Sequence, residues 1–470
     1  MKKIGLTLYI CMINLLLIGQ GLSISDTQRH LVTEEGKPFL WLGDTAWELF
    51  HRLNREEASY YLEKRAEQGF SVIQAVVLAE IDGVRTPNPY GDLPLRDESP
   101  DTPNEAYFEH VDFIVEKANE RGMYVGMLPT WGDKMYSLHP GEGPIIFTRE
   151  NAETFGEYLG KRYRDKQIIW ILGGDRTVAN LEVLEIWRAM AKGLKKGDRG
   201  NHLITFHPRG ATSSSYWLHN EDWLDFNMYQ SGHSKHFTPV YGYAENDYLL
   251  HPTKPTVEGE PAYEDIPIEF WKYMDWEDSL KVPPAVLNAD KLIQDPSHFK
   301  QGFFRAYDVR IHAYWNFLSG AAGYTYGNNA VWQMCKRGGE ITIPCLTDWK
   351  EALDRPGAND IQHVRTIMES YPVSSFVPDQ SVVYGKNAKN EDHIRAAVAQ
   401  DGSFILVYMA KGQPVFLNLV KLAGPAKVHW FNPREGTFTE GDSLAKRGIK
   451  EFIPPSNGVG EDWLLVLAVE

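Results

Sequence analysis

Ile168-Ile169-Trp170-Ile171-Leu172-Gly173-Gly174-Asp175-Arg176 is a run of five uncharged apolar residues, halted by two glycines and followed by a carboxylate. A run that short and apolar on both faces fits a parallel strand covered on each side, not an edge strand alternating between core and solvent. The same grammar recurs seven more times. Phe39-Leu40-Trp41-Leu42 stops at Gly43-Asp44, residues 71–78 are rich in Val and Ile, and residues 124–128 stop at Pro129-Thr130-Trp131-Gly132-Asp133. Leu203-Ile204-Thr205-Phe206 stops at His207-Pro208-Arg209-Gly210, and residues 225–229 at Gln230-Ser231-Gly232-His233. Thr256-Val257-Glu258 leads to Glu260, and Gly323-Tyr324-Thr325-Tyr326 to Gly327-Asn328-Asn329.

Amphipathic helical stretches lie between these strands. Residues 55–68 follow Asn54, a good N-cap, and end at Gly69; 104–121 end at Gly122; 150–163 and 180–196 behave likewise. Eight strand–helix alternations predict an α/β fold, a (β/α)8 TIM barrel, which typically takes about 250 residues plus insertions. A doubly wound open sheet would carry a glycine-rich phosphate loop after its first strand, where this chain has Gly43-Asp44-Thr45-Ala46-Trp47. A helix around residues 361–371 is expected to close the barrel. Beyond it come short strand-like runs at 382–384, 394–399, 404–408, 415–419, 426–431 and 463–469, separated by turns such as Asp401-Gly402 and Glu435-Gly436. That texture predicts a small antiparallel β-sandwich. The organisation read from the sequence is a signal peptide at 1–23, the barrel at 24–373 and the sandwich at 374–470.

The leader reading rests on Lys2 and Lys3, the apolar run 4–18 and the small residues Gly19, Gly21 and Ser23. It implies export to the periplasm or the extracellular space, with no membrane span once the leader is removed. Cys335 and Cys345 are the two cysteines left after the leader, and an even pair in an exported chain is a disulfide candidate. The formal net charge of −15 argues against nucleic acid as a partner. The His233-Ser234-Lys235-His236 cluster lacks metal-ligand spacing, and neither a metal nor a cofactor is expected. No Gly-x-Ser-x-Gly elbow supports an esterase. Oligomeric state is not legible.

In such a barrel the working groups stand at the carboxyl ends of the strands. Here those positions hold Asp44, Trp131, Asp133, Asp175, His207, Arg209, Gln230, Glu260 and Tyr326. Asp175 and Glu260 end the fourth and seventh strands, and their 85-residue separation (260 − 175) matches three strand–helix units of roughly 31 residues. Two carboxyls facing each other across the mouth, one protonated and one ionised, are the equipment for cleaving a glycosidic bond. Glu258 competes with Glu260 from the same strand, two residues deeper and on the same face. Arg176 and Arg209 either hold an acidic sugar or keep the carboxylates ionised. His207 is read as a hydrogen-bond donor or a general acid or base, and Trp47, Trp131 and Trp332 as stacking platforms for a sugar or as core.

These motifs resemble the apiosidase-like glycoside hydrolases, glycoside hydrolase family 140. The resemblance rests on Trp41-Leu42-Gly43-Asp44-Thr45-Ala46-Trp47, Leu128-Pro129-Thr130-Trp131-Gly132-Asp133, Gly173-Gly174-Asp175-Arg176, Gln230-Ser231-Gly232-His233 and Gly259-Glu260-Pro261-Ala262-Tyr263-Glu264. Trp430-Phe431-Asn432-Pro433-Arg434-Glu435-Gly436 is similar to the small sandwich domain, named for collagen binding, that follows such barrels. The resemblance implies Asp175 and Glu260 as the catalytic pair; by analogy with barrel glycosidases that use these strands, Asp175 is read as acid or acid/base and Glu260 as nucleophile, and Tyr263 is placed among the substrate contacts. It implies an oligosaccharide or polysaccharide substrate, namely apiose-linked side chains of the pectin rhamnogalacturonan II. Loops 81–102 and 235–251 are the expected determinants of substrate choice. The alternative reading is a non-catalytic exported protein that binds carbohydrate or matrix.

Overall fold

The computed structural model describes residues 21–80, 83–138, 142–275, 279–280, 282–444 and 448–470. Residues 1–20 of the expected leader therefore lie outside the described residues. Eight strands form the barrel: β1 (Trp41–Thr45), β2 (Val72–Val76), β3 (Tyr124–Leu128), β4 (Ile168–Gly173), β5 (Ile204–His207), β6 (Asn227–Gln230), β7 (Thr256–Glu260) and β8 (Gly323–Tyr326). They lie side by side in the order β5-β4-β3-β2-β1-β8-β7-β6, each pair parallel. The first strand starts at Trp41, while Pro38–Phe39 belongs to a separate small sheet of two-residue strands with Leu31–Val32 and Ser23–Ile24.

No ladder joins β5 to β6. Asp225 N donates to Ile204 O (2.9 Å), Ile204 N donates to Asp225 Oδ2 (2.7 Å) and Thr205 Oγ1 donates to Phe226 O (2.7 Å). Two side chains thus satisfy backbone groups that a ladder would otherwise pair, and the two-residue strand Thr212–Ser213 pairs antiparallel with the end of β6, so the barrel is nearly closed.

Outside the strands run α1 (Arg55–Glu67), α2 (Glu105–Asn119), α3 (Arg149–Tyr163), α4 (Leu181–Asp198), α5 (Tyr241–Tyr248), α6 (Ala306–Phe317) and α7 (Pro356–Ser370). Between β5 and β6 lie only the two-residue strand Thr212–Ser213 and the four-residue helix Ser215–Leu218. Asn54 caps α1 as expected, its side chain accepting from Glu57 N (2.9 Å) while Glu57 accepts in return from Asn54 N (3.1 Å). The closing helix α7 starts five residues earlier than 361 because Pro356 opens it at a position where a missing N–H costs nothing. Along the strands, Trp41, Val72, Val76, Leu128, Ile169, Ile171, Met228 and Val257 fill the barrel interior. The alternate residues Leu42, Ile73, Val125, Met127, Trp170, Leu172 and Phe206 meet the helices. Among the described residues no helix is long and apolar enough to cross a membrane.

The tail is a six-stranded antiparallel sheet of β9 (Phe376–Pro378), β10 (Ile394–Ala399), β11 (Phe404–Met409), β13 (Ala426–Asn432), β14 (Thr437–Leu444) and β16 (Trp463–Val469), ordered β9-β10-β11-β16-β13-β14. Beside it lies a two-stranded sheet of β12 (Val415–Asn418) and β15 (Ile449–Phe452). Ile405, Val407, Met409, Leu465 and Leu467 pack with Val415, Leu417 and Phe452 to form the sandwich core. Leu406, Tyr408, Leu464 and Val466, on the opposite face, join the core under the barrel helices. Both faces of β11 are covered, one by the sandwich core and one by the barrel helices, which is why it reads as six apolar residues without alternation.

Polar contacts fasten the same seam. Arg310 of α6 reaches Asp462 (Nη2–Oδ1 2.8 Å) and Asp360 of α7 (Nη1–Oδ2 2.8 Å), Tyr408 donates to Asp462 (2.9 Å), and Tyr314 stacks on Tyr408 at 4.8 Å.

The expected disulfide is not formed. Cys335 and Cys345 are buried free thiols. The Cys345 thiol lies 3.3 Å from Ile343 O and 3.2 Å from Gln333 Nε2, and it is within hydrogen-bond reach of Cys335.

Candidate active site

The Gly-Gly-Asp turn after β4 is dictated by crowding. Gly173 and Gly174 have φ of +88° and +104°, and Asp175 follows at +55°, all in the left-handed region. A Cβ on Gly173 would stand 2.2 Å from His207 O, and one on Gly174 would stand 2.8 Å from the Trp131 ring. Glycine is therefore required at both positions. Gly174 N donates to His207 O (2.9 Å) and Gly132 N to Gly174 O (3.1 Å), which ties the ends of β3, β4 and β5 together. Aspartate is among the few side-chain-bearing residues that accept the left-handed conformation readily, so its carboxylate can be placed at the mouth.

At the end of β7 the decisive feature is a bulge. Tyr229 pairs with Glu258 but Gln230 pairs with Glu260, so Gly259 is left as the extra residue. A bulge breaks the alternation of sides and re-aims the side chain that follows. Gly259 faces the barrel interior, where its carbonyl accepts from Gln74 Nε2 (2.9 Å) and a Cβ would meet Met228 Sδ at 2.4 Å. Glu258 points outward, bonded to Ser231 and close to Tyr229 and Tyr324. Glu260 points into the mouth. The expectation that the two glutamates share a face is thus corrected by one residue of bulge.

Around Glu260 the donors converge. His233 Nε2 lies 3.0 Å from Oε1 and His207 Nε2 lies 3.1 Å from Oε2. The Tyr263 hydroxyl accepts from Trp47 Nε1 (3.0 Å) and reaches Glu260. Burial would raise the Glu260 carboxyl, but the two histidines outweigh it and hold it down to about 2. Asp175 is pushed the other way. Burial raises it first and the Glu260 charge second, against smaller opposition from His207, Arg176 and a hydrogen bond from Gln230. Glu260 is only 6 % exposed, whereas solvent reaches Asp175.

The structure gathers Trp47, Trp131, Asp133, Asp175, Arg176, His207, Gln230, Glu260 and Tyr263 at the carboxyl ends of the strands. Trp47 packs on Trp131 (5.2 Å) and on His207 (5.3 Å), and both indoles are almost wholly covered. Asp133 is buried and bound to Lys134 (Oδ2–Nζ 2.7 Å). Arg176 is paired with Glu142 at 2.7 Å and donates to Asp175 O at 3.1 Å, so its charge is already answered within the chain. Arg209 is exposed at the rim, and Trp332 is buried at the end of the four-residue helix Asn329–Trp332 after β8, with its indole 3.3 Å from Asn329.

Two strand-end candidates stand elsewhere. Asp44 faces outward from β1 and is wholly buried against α1, where Arg65 Nε (2.7 Å) and the Tyr61 hydroxyl bind its carboxylate. Tyr326 also faces outward and donates to Glu264 (2.7 Å). The last residues of β1 and β8 alternate sides, so lying at a strand end does not by itself put a side chain in the mouth.

Sequence reasoning missed Glu48, Glu80, Lys134 and the part played by His233. Glu80 is half-buried beyond β2, and its carboxyl is driven well above the usual range by burial first and then by Glu48, Asp175, Asp133 and Glu260. Glu48 is raised by burial, with Arg52 and Lys134 opposing. The available signal was the first carboxylate beyond each strand, even where it stands several residues past the last apolar position.

The chain matches the family model described as "Apiosidase-like, catalytic domain" over residues 25–375, and that described as "Putative collagen-binding domain of a collagenase" over 377–468. A solved structure described as a glycoside hydrolase is 30% identical with a TM-score of 0.82, covering 96% of this chain and 97% of its own. A glycoside hydrolase family 5 protein from Bacteroides vulgatus ATCC 8482 is likewise 30% identical with a TM-score of 0.82, covering 95% and 93%. None of the curated proteins compared matches.

Proposed function

The chain belongs to the apiosidase-like family and is a glycoside hydrolase, and on that premise we propose that it releases an apiose-linked unit from the side chains of a pectic polysaccharide, with Asp175 as acid/base and Glu260 as nucleophile. The observation that carries the roles is the opposed electrostatics of the pair. Asp175 is biased towards its protonated form, while Glu260 is held ionised by His207 and His233. Two carboxyls whose surroundings push them apart divide the labour of acid and base.

In the first step Glu260 attacks the anomeric carbon, the glycosidic C–O bond breaks, and the departing oxygen takes the Asp175 proton. In the second, Asp175 removes a proton from water, the water oxygen attacks the same carbon, and the bond to Glu260 breaks. Configuration is retained. The family description supports the apiose assignment, and the apolar run behind Lys2 and Lys3 supports export.

The test is incubation with rhamnogalacturonan II oligosaccharides. Release of apiose-terminated product by the wild type, lost in Asp175→Asn and Glu260→Gln, is expected. NMR in the first minutes should show the substrate's own anomeric configuration. Inverted product would recast Glu260 as a general base, and release of no sugar from any pectic fragment would overturn the substrate class.

A further inference from the structure

His207 touches both members of the pair with opposite poles of one ring. Its Nδ1 accepts from the Asp175 backbone N–H (3.5 Å), and its Nε2 lies 3.1 Å from Glu260 Oε2. A ring nitrogen that accepts carries no proton, so the proton resides on Nε2, the edge that faces the glutamate. The ring is fully buried, with Trp47 at 5.3 Å and Trp131 at 5.6 Å, so it has no room to turn over. Its own backbone carbonyl accepts from Gly174 N (2.9 Å), one residue before Asp175.

His233 offers the contrast. Its Nδ1 accepts from Tyr263 N (3.3 Å) and its Nε2 meets Glu260 Oε1 (3.0 Å), so it serves Glu260 and the chain just beyond it. Among the described residues, His207 alone bonds through its side chain to the backbone of Asp175 while facing the carboxylate of Glu260. Its Nε2 lies off the hydrogen-bond line to Oε2, and neither atom has an aligned partner, whereas Oε1 is held squarely by His233.

We propose that His207 is a positioning residue, a single Nε2–H imidazole that anchors the left-handed Asp175 turn through Nδ1 and sets its Nε2–H edge 3.1 Å from Glu260 Oε2, a close contact off the hydrogen-bond line, so that the two carboxyls arrive at the anomeric carbon in register. The proposal rests on the assignment of that pair as the catalytic carboxyls. The ring contributes no proton to the reaction. It spans β4 and β7 from β5 and converts two separate strand ends into one spacing.

Two substitutions separate its halves. His207→Asn keeps an acceptor near the Nδ1 position and loses the edge towards Glu260. His207→Gln carries a donor to the Nε2 position and loses the acceptor. Each is expected to lower kcat by roughly 100-fold, the cost of a misplacement on the order of 1 Å, with KM little changed. Either variant turning over near the wild-type rate, or a loss confined to KM, would overturn the proposal. A second readout is independent of turnover and of variant folding. The 15N–1H imidazole spectrum of the wild-type enzyme should show His207 as the Nε2–H tautomer; a proton on Nδ1, alone or in addition, would overturn it. The two readings fail differently. Activity surviving in Asp175→Asn and Glu260→Gln sinks the catalytic assignment and leaves the tautomer result standing. Activity lost there but retained in both His207 variants sinks the positioning role alone.

Discussion

Glu258→Gln tests the bulge at Gly259 through stability. Glu258 is wholly buried on the outward face of β7, and burial, only partly offset by Ser231 and Tyr229, raises its carboxyl to about 8 from a starting value of 4.5. Near neutrality it is protonated in the fold and ionised in the unfolded chain. The sign follows from that difference: its contribution is fully present below pH 4.5 and is lost as pH rises towards 8. Each tenfold change in a protonation equilibrium is worth about 1.4 kcal/mol, so between pH 4.5 and 7 the wild type loses about 3 kcal/mol on this account. Glutamine keeps the volume and an oxygen for the Ser231 hydroxyl, and it does not titrate. The variant should therefore gain on the wild type by about 3 kcal/mol across that interval, measured by denaturant unfolding followed by tryptophan fluorescence at several pH values. Turnover should persist, because the side chain points away from the mouth. A stability difference between variant and wild type that stays constant from pH 4.5 to 7 would refute the reasoning, as would loss of activity in the folded variant.

Gly173→Ala forces a Cβ to within 2.2 Å of His207 O at a left-handed φ; the conformation alone costs about 1–2 kcal/mol, and kcat should fall as the turn carrying Asp175 shifts. Asp44→Asn leaves the buried Arg65 without its counter-charge and should cost about 3–5 kcal/mol of unfolding free energy, with KM unaltered. Asp462→Asn weakens the clasp on Arg310; calorimetry should show one transition moved to lower temperature, and a separate early transition of the tail would contradict the shared core.

Much of this molecule is legible in one dimension. Strand runs such as Ile168 to Leu172 are apolar on both faces because helices cover one side and the barrel interior the other, and that pattern survives in the bare sequence. The positions of Asp175 and Glu260 at the mouth were readable because a glycine precedes each where a Cβ would not fit, against His207 O and the Trp131 ring before Asp175 and against the Met228 side chain before Glu260. Facing was not readable. Asp44 and Tyr326 sit at strand ends and look outward, and the bulge that separates Glu258 from Glu260 depends on pairing with β6. The donors to Glu260 come from the ends of β5 and β6, so their convergence belongs to the nearly closed barrel and to no local stretch of chain. The thiols of Cys335 and Cys345 satisfied the arithmetic of an exported pair, yet each is buried without a bond between them, and the Cys345 thiol already has neighbours to meet.

The large sheet of the tail has consequences for how such an enzyme can be rebuilt. A module that can be moved between proteins needs a surface content with water on every side. Here Leu406, Tyr408, Leu464 and Val466 are cut to fit one particular set of helices. Transplanted to a foreign partner, the tail would bring a sticky, unmatched face, and a barrel expressed without it would show the complementary scar. Recombination that respects this chain has to inherit the two halves together, and variation is free to accumulate on the rim loops that neither half needs for shelter.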